Sequence, residues 1–222
     1  AKKVPTVWWS SPDPMSLSPK SSTMAILVFG EILFGLGDSL LIAAGIGNTP
    51  WTVLAEGISN YAETWTVGEA TFIVSVAVMF LWIPIKETPG IGTILNAIII
   101  ALTIHVMVPI LPQPETLLGS ILMASSGIIL VGIGSAMYLT SNLGPGPRDG
   151  WMTGIQRVTG VPIGRVRITI EVSVLLIGYM LGGTAWIGTL MFALAIGPVV
   201  ASCLAVAERI GSEDRANLDS QH

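Results

Sequence analysis

Four ionisable side chains lie within strongly apolar stretches of this 222-residue sequence: Glu31, Asp38, His105 and Glu171. Charged groups in such surroundings are costly, so each one is a functional hypothesis by default. Glu31 and Asp38 are seven residues apart on one helix face, which predicts an ion-coupling site for a proton or cation. Glu171 follows Arg167 by four residues, so a structural ion pair is the favoured interpretation there. His105 nears the end of its stretch, where an interfacial position is the simpler interpretation.

Two glycine–proline segments, 47–51 and 144–149, form the candidate binding site for a solute. Proline suits the first turn of a helix, and the free N–H groups of that turn attract anions. Short re-entrant or interfacial helices are therefore predicted at about 50–60 and 147–158. We predict that the two segments face one another around a small anionic or zwitterionic solute, with a charge-assisted contact from Arg148. The alternative is a pair of surface turns with solvated charges. The predicted solute-binding residues are Gly47, Asn48, Thr49, Trp51, Gly144, Gly146, Arg148 and Asp149.

Other kinds of chemistry find little support in the residue types. Two histidines and one cysteine, Cys203, leave little material for a metal cluster or a nucleophile–base pair. The sequence contains neither a phosphate-binding loop nor a basic patch suited to nucleic acid. We therefore expect no catalytic residues, no enzyme activity, no cofactor, no metal site and no nucleic-acid partner.

The composition indicates that these residues are carried by membrane helices. Hydrophobic residues make up 51% of the chain and charged residues only 11%, against about 25% charged in soluble domains. Several apolar stretches approach the roughly 20 residues needed to cross a bilayer. We predict an all-α polytopic membrane protein with about six transmembrane helices. The predicted spans are 23–44, 69–85, 91–111, 117–140, 165–183 and 186–207.

The basic residues all fall on one side of this six-span arrangement. They precede the first span, follow the sixth, and lie near the connections between spans two and three and between spans four and five. The positive-inside rule then places both termini in the cytoplasm. Residues 1–22 are predicted to be a polar cytoplasmic arm without the apolar segment of a signal peptide, and residues 209–222 a polar tail.

Trp8 and Trp9 lie in the polar N-terminal arm. Tryptophan favours the headgroup region of a membrane, which predicts an arm lying on the cytoplasmic surface. The alternative is that the arm contacts a neighbouring protein of a membrane complex. The expected partners are thus the lipid bilayer, other membrane proteins and, as a further alternative, a second copy of the chain.

The chain contains an internal repeat that is carried largely by glycine and proline. At an offset of 97 residues, Gly30, Gly35, Gly37, Gly47, Pro50 and Gly57 match Gly127, Gly132, Gly134, Gly144, Pro147 and Gly154. At an offset of 96 residues, Gly68, Gly92 and Thr93 match Gly164, Gly188 and Thr189. The repeats are 23–112 and 113–208, and three spans in each predict that the second is inserted upside down relative to the first.

Inverted repeats with paired helix breaks are typical of secondary transporters. The leading hypothesis is therefore a transporter or channel-like protein. A non-catalytic accessory subunit of a larger membrane complex is the alternative, since duplicated membrane proteins also serve as scaffolds. Close packing of helices would by itself explain the glycines.

Two strings carry a resemblance to a known family: residues 143–149, LGPGPRD, and residues 88–96, TPGIGTILN. The chain resembles the YczE/YitT-like group of bacterial membrane proteins, and within it the YczE-like branch. This resemblance implies a multispan protein of the bacterial inner membrane and implies no particular substrate. An aromatic residue usually precedes the aspartate of the first string in this family. Arg148 stands at that position here, while Trp51 occupies the equivalent place in the first repeat.

Overall fold

The structure, a computed structural model, describes residues 4–62 and 64–219, and their regular secondary structure is entirely α-helical. There are eight helices in these ranges, and the shortest are α2 and α6, with 13 residues each. They are α1 (Ser21–Ala44), α2 (Pro50–Ala62), α3 (Val67–Phe80), α4 (Ile91–Met107), α5 (Leu117–Ser141), α6 (Pro147–Thr159), α7 (Ile163–Met180) and α8 (Ile187–Asp219).

Each predicted span corresponds to a helix, and the two predicted short helices are α2 and α6. The all-α prediction is therefore confirmed for the described residues. α3 ends at Phe80, five residues before the predicted end, because the chain turns through residues 81–86 and Lys86 has a positive φ of 53°. α8 continues to Asp219, into the segment expected to be the C-terminal tail.

Three helices are long and apolar enough to cross a membrane: α1, α5 and the part of α8 from Ile187 to Ser212. α3 and α4 are also apolar but shorter. α7 is 18 residues long and carries Arg165, Arg167 and Glu171, which lower its hydropathy. The helices are thus those of a membrane protein, and the count of six spans remains a prediction.

α1 and α5 cross at the centre of the molecule through glycines. A Cβ on Gly37 would lie 2.5 Å from the carbonyl oxygen of Gly127, and a Cβ on Gly30 would lie 3.0 Å from that of Gly134. The later glycine of α1 thus meets the earlier glycine of α5, so the two helices run antiparallel. The repeat matches Gly30 with Gly127 and Gly37 with Gly134, so each contact is the repeat-related counterpart of the other.

The other helices are arranged around this central pair. α4 packs on α1, and α8 packs on α5. The short helices pack across the repeats, α2 against α7 and α6 against α3. An apolar cluster with members from both repeats fills the space between α2, α3, α6 and α7. It is formed by Trp51, Val74, Val78, Met152, Val166, Ile170 and Val174.

The N-terminal arm is docked on the chain itself. Trp9 is only 9% exposed, and its indole Nε1 donates a hydrogen bond of 3.0 Å to Thr140 Oγ1 at the end of α5. Val7 and Trp9 also pack with Ala207 of α8. Trp8 remains 51% exposed, with its ring edge-on to Trp9. Trp9 is therefore occupied within the protein, while Trp8 stays available to the membrane or to a partner.

Candidate functional site

A polar cavity of about 120 Å³ lies beside the α1–α5 crossing, where α2 and α6 begin. This space can hold several water molecules or a small solute. Its lining combines polar and charged side chains with apolar ones. The polar members are Thr49, Ser75, Asn96, Ser135, Tyr138, Arg148, Asp149, Arg167 and Glu171.

The loop that leads into α6 is held by the N-terminus of α4. The Gly92 amide donates a hydrogen bond of 2.8 Å to the Leu143 carbonyl, and Thr93 Oγ1 donates one of 2.7 Å to the Pro145 carbonyl. Gly144 has a φ of 102°, and a Cβ there would lie 2.8 Å from Thr93 Oγ1. The two strings that carry the family resemblance therefore contact each other.

The loop that leads into α2 is held in the same way by the N-terminus of α8. The Gly188 amide donates a hydrogen bond of 2.7 Å to the Ile46 carbonyl, and Thr189 Oγ1 donates one of 2.7 Å to the Asn48 carbonyl. Gly47, with a φ of 118°, takes the place of Gly144. We call these two sets of contacts the Gly92–Thr93 clamp and the Gly188–Thr189 clamp. In each clamp a helix of one repeat holds a loop of the other.

The clamps bring the first turns of α2 and α6 together. Arg148 and Trp51 are matched by the repeat, and the guanidinium carbon Cζ of Arg148 lies 5.4 Å from the centre of the Trp51 ring. Trp151 packs edge-on against Trp51 at 6.4 Å. A cation above an indole face is stabilised by the ring's quadrupole.

The Arg148 guanidinium has no hydrogen bond or ion pair with any residue that the structure describes, although Asp38 and Asp149 act on it electrostatically. Asp149 instead accepts a hydrogen bond from the Tyr138 hydroxyl of α5. The donors of Arg148 are thus left available at the cavity, where a carboxylate or phosphate could bind in bidentate fashion.

α7 contributes an ion pair to the cavity. Arg167 Nε donates a hydrogen bond of 2.9 Å to Glu171 Oε1, so the predicted ion pair is confirmed. Both side chains also line the cavity, a role that the sequence-based interpretation did not assign to them. The spacing of four residues identifies such a pair but does not indicate which way it faces.

Glu31 and Asp38 are fully buried in α1, next to the cavity but not in its lining. Thr52 Oγ1 donates a hydrogen bond of 3.2 Å to Asp38 Oδ2, while Asp38 Oδ1 has no partner among the described residues. The Asn96 amide interacts with the Glu31 carboxyl, but neither oxygen accepts a hydrogen bond of good geometry from the described residues. Buried carboxyls with unused acceptors are suited to proton or cation exchange.

The predicted solute-binding residues divide into two groups. Thr49, Trp51, Gly146, Arg148 and Asp149 line the cavity, whereas Gly47, Asn48 and Gly144 lie outside its lining, in the clamped loops. The Asn48 amide nitrogen Nδ2, for example, donates a hydrogen bond of 2.8 Å to Glu56 rather than pointing into the cavity. Sequence reasoning missed Tyr138, Ser75 and Ser135, which are ordinary helical positions with no distinguishing pattern. It also gave no site role to Asn96, although Asn96 ends the family string 88–96.

The described part of the chain contains no cluster of three or more potential metal ligands. Its fold and cavity define a helical membrane protein in which the first turns of two short helices and the Arg167–Glu171 ion pair border a small cavity. A family model described as "Family of unknown function (DUF6198)" matches residues 21–204, and the chain belongs to that family.

The sequence relatives agree with this assignment. An uncharacterized protein of Haemophilus influenzae is 40% identical over 93% of this chain and 94% of its own length. The uncharacterized membrane protein YczE of Bacillus subtilis is 31% identical over 77% of this chain and 80% of its own length. The resemblance to the YczE-like branch is thereby confirmed. No solved structure matches the chain.

Proposed function

We propose that the protein is a six-span transporter or channel-like protein of the bacterial inner membrane for a small anionic or zwitterionic solute. One observation carries this proposal: the Arg148 guanidinium faces a cavity at the junction of the two repeats without a hydrogen-bond partner among the described residues. A cation that is held ready but unpaired in a polar cavity is suited to binding an anionic group.

The charges around the cavity favour a zwitterion over a simple anion. Arg148 and Arg167 are balanced in the lining by Asp149 and Glu171. A solute with a carboxylate or phosphate at one end and an ammonium group at the other would match both signs. Asp38, behind Arg148, adds a buried carboxyl that is suited to coupling a proton or cation to solute binding.

The contacts between connections support the inverted six-span arrangement. Segments expected on the cytoplasmic side contact one another, as in the ion pair between Arg157 and Glu87 at 2.5 Å. Segments expected on the external side do likewise, since Asn60 Nδ2 donates a hydrogen bond of 2.9 Å to the Gly182 carbonyl. Together with the antiparallel α1–α5 crossing, this supports two repeats of opposite orientation with both termini in the cytoplasm.

Cysteine labelling tests this topology. Cys203→Ser gives a cysteine-free background, because Cys203 is the only cysteine of the chain. Single cysteines then replace Lys86 and Gln113, which are both exposed. In intact cells a membrane-impermeant maleimide should label the cysteine at 113 and spare the one at 86 until the membrane is permeabilised. Equal labelling of both would contradict the inverted arrangement.

Solute binding and uptake test the function itself. The purified protein is screened for thermal stabilisation by glutamate, γ-aminobutyrate, phosphoethanolamine and succinate, and any binder is then tested for saturable uptake into proteoliposomes. Arg148→Gln should weaken binding by about tenfold or more, since it removes charge-assisted hydrogen bonds. Arg209→Gln, an exposed change remote from the cavity, is the matched control. If no zwitterion or anion binds saturably, or if both variants behave alike, the proposal fails.

A second, also non-catalytic, function is favoured by one observation. In the most apolar 18-residue stretch of α8 only 11% is buried within the protein, against 44% for the corresponding stretch of α1 and 39% for that of α5. A helix so weakly covered by its own chain offers a surface to another membrane subunit. Gentle purification from native membranes, followed by mass spectrometry, should then recover one partner in fixed stoichiometry. Photo-crosslinkers placed along α8 should capture that same partner.

A further inference from the structure

The two repeats differ most at the helix pair that closes each of them. In the first repeat α3 packs on α4, and a Cβ on Gly68 would lie 2.6 Å from both the carbonyl oxygen of Ala101 and the Cβ of His105. The offset of 96 residues matches Gly68 with Gly164 and Ala101 with Gly197. A Cβ at Gly164 or at Gly197 would meet nothing within 4 Å. Among the described residues, α7 and α8 do not pack side by side.

A gap of about 580 Å³ separates α7 from α8. Its walls are mostly apolar and come from both helices. They are formed by Ile168, Val172 and Leu175 of α7 and by Phe192, Ala193, Ile196, Gly197 and Val200 of α8. Ile168 is 65% exposed at its edge, and Leu194, on the neighbouring surface of α8, is 70% exposed. In a membrane, such a gap in the apolar flank of a span opens towards the lipid chains.

The gap continues into the polar cavity. Both spaces are lined by Pro50, Arg167, Glu171, Phe192, Ile196 and Val200. A path therefore leads from the apolar flank of the molecule to the charged pair on α7 and then to Arg148. The charged pair on α7 lines both spaces, whereas Arg148 and Asp149 line only the inner one.

From this path we propose that the substrate is an amphiphile: its anionic or zwitterionic head binds at Arg148 and Arg167, and its single hydrocarbon tail leaves through the gap between α7 and α8. This inference rests on the proposed function and names the substrate class for the same site. A solute without a tail needs no apolar passage, whereas a tail is driven out of water and fills this one. Asp149 and Glu171 accommodate an ammonium group on the head.

Two probes with the same head distinguish an amphiphile from a free solute. Lysophosphatidylethanolamine carries one tail, and glycerophosphoethanolamine is the same molecule without it. Binding of each to the protein in nanodiscs is measured by competition against a lysophosphatidylethanolamine with a photoreactive group in its tail. The tailed probe should compete at least about tenfold better than the tail-less one, because burial of each methylene is favourable. Crosslinks should map to α7 and α8.

Filling the gap provides the decisive variant. Gly197→Leu places a side chain in the gap without a clash with another helix, since a Cβ there meets no atom of another element within 4 Å. Gly164→Leu is the matched control, because Gly164 is equally open but does not line the gap. Gly197→Leu should weaken the tailed probe about tenfold and leave the tail-less one unchanged. Gly164→Leu should change neither, and Arg148→Gln should weaken both.

Other outcomes of these experiments would contradict the amphiphilic substrate or the proposed function. Equal binding of the two probes, with no effect of Gly197→Leu, would overturn the amphiphile and leave a transporter of free solutes. Failure of the two probes and of the small-solute panel alike would overturn the proposed function as well. If Gly197→Leu instead dissociates a dimer, and tail crosslinks are absent from α7 and α8, the gap is an interface with a second copy and the amphiphile is excluded.

Discussion

The helix pairs α3–α4 and α7–α8 come from matching parts of the two repeats, yet the first is closed and the second is open. The residues that would permit closure are present in both, since Gly68 and Gly164 are matched and Gly197 is smaller than its counterpart Ala101. Glycine therefore permits close approach of helices without enforcing it. By contrast, the Gly92–Thr93 and Gly188–Thr189 clamps are nearly identical in their hydrogen bonds. The clamp is present in both repeats, whereas the close packing of α3 on α4 has no counterpart between α7 and α8.

A second difference lies where the short helices pack across the repeats. Trp82, in the turn that follows α3, packs on Gly150 of α6, and its indole Nε1 donates a hydrogen bond of 2.9 Å to the Pro147 carbonyl. The offsets match Trp82 with Gly178 and Gly150 with Val53. At that second place Gly178 packs against the backbone of Val53 and Leu54. Large and small residues have thus changed sides while both interfaces remain filled.

Truncation of Trp82, the large residue of this interface, should lower the stability of the protein the most. Trp82 is 1% exposed, so Trp82→Ala should lower the free energy of unfolding by about 3–5 kcal/mol, through the cavity that it leaves. Denaturant unfolding of the detergent-solubilised protein measures this. Trp186→Ala, at a tryptophan that is 70% exposed, is the control and should cost far less. Similar losses for both would show that α3 and α6 depend little on this contact.

Next in size is the contrast between the matched glycines. Gly68→Val should be destabilising by about 1–3 kcal/mol or more, because its side chain meets the backbone of α4. Gly164→Val should be close to neutral, because a Cβ there meets nothing within 4 Å. Paired thermal denaturation curves measure the difference. If the two variants are equally destabilised, α7 and α8 pack as closely in solution as α3 and α4 do, and the two helix pairs do not differ.

The clamps should respond alike to equivalent changes. Thr93→Val and Thr189→Val each remove the hydrogen bond that the hydroxyl donates to a loop carbonyl, so each should lower stability by about 1 kcal/mol. Thr93→Val also removes the hydrogen bond of 3.2 Å that Thr93 Oγ1 accepts from the Gly90 amide, so its loss should be slightly the larger. Chemical denaturation of both variants measures these losses at the clamps, the feature that the repeats share. A loss confined to one variant would mean that one loop is held by other contacts.

The smallest effect should come from Gly197→Ala in the middle of α8. Alanine favours a helix over glycine by up to about 1 kcal/mol, and the added methyl group meets no atom of another helix within 4 Å. Its contact with the ring of Pro198, the next residue, offsets part of this gain. A slightly raised midpoint of thermal unfolding is expected. A lowered midpoint would indicate that the backbone of a neighbouring helix approaches Gly197 in solution.

Much of the fold could be predicted from the sequence because its signals are local. Long apolar runs located the six longer helices, and the prolines at 50 and 147 located the starts of α2 and α6. The glycines that reveal the repeat are also those at which α1 and α5 cross. The end of α3 was misplaced because the chain turns through 81–86 although its residues remain largely apolar.

The site was only partly predictable because its remaining members depend on tertiary packing. Arg148 and Asp149 stood out beside a proline, whereas Tyr138 and Ser135 look like ordinary helix residues. The direction of the Arg167–Glu171 pair depends on how far α7 stands from α8. The repeat gives both helix pairs a matched glycine, Gly68 and Gly164, so the gap between α7 and α8 has no signal in the sequence.

The exchanged clamps bear on the origin of the chain. A primordial protein of half this length would have had a loop without its holding helix, because each loop is fastened by a helix from the other repeat. Two such molecules, lying head to tail, would have satisfied both loops at once by symmetry. Joining two such halves in one chain makes that mutual dependence permanent and leaves each half free to carry its own residue at a matched position, such as Trp51 in the first and Arg148 in the second.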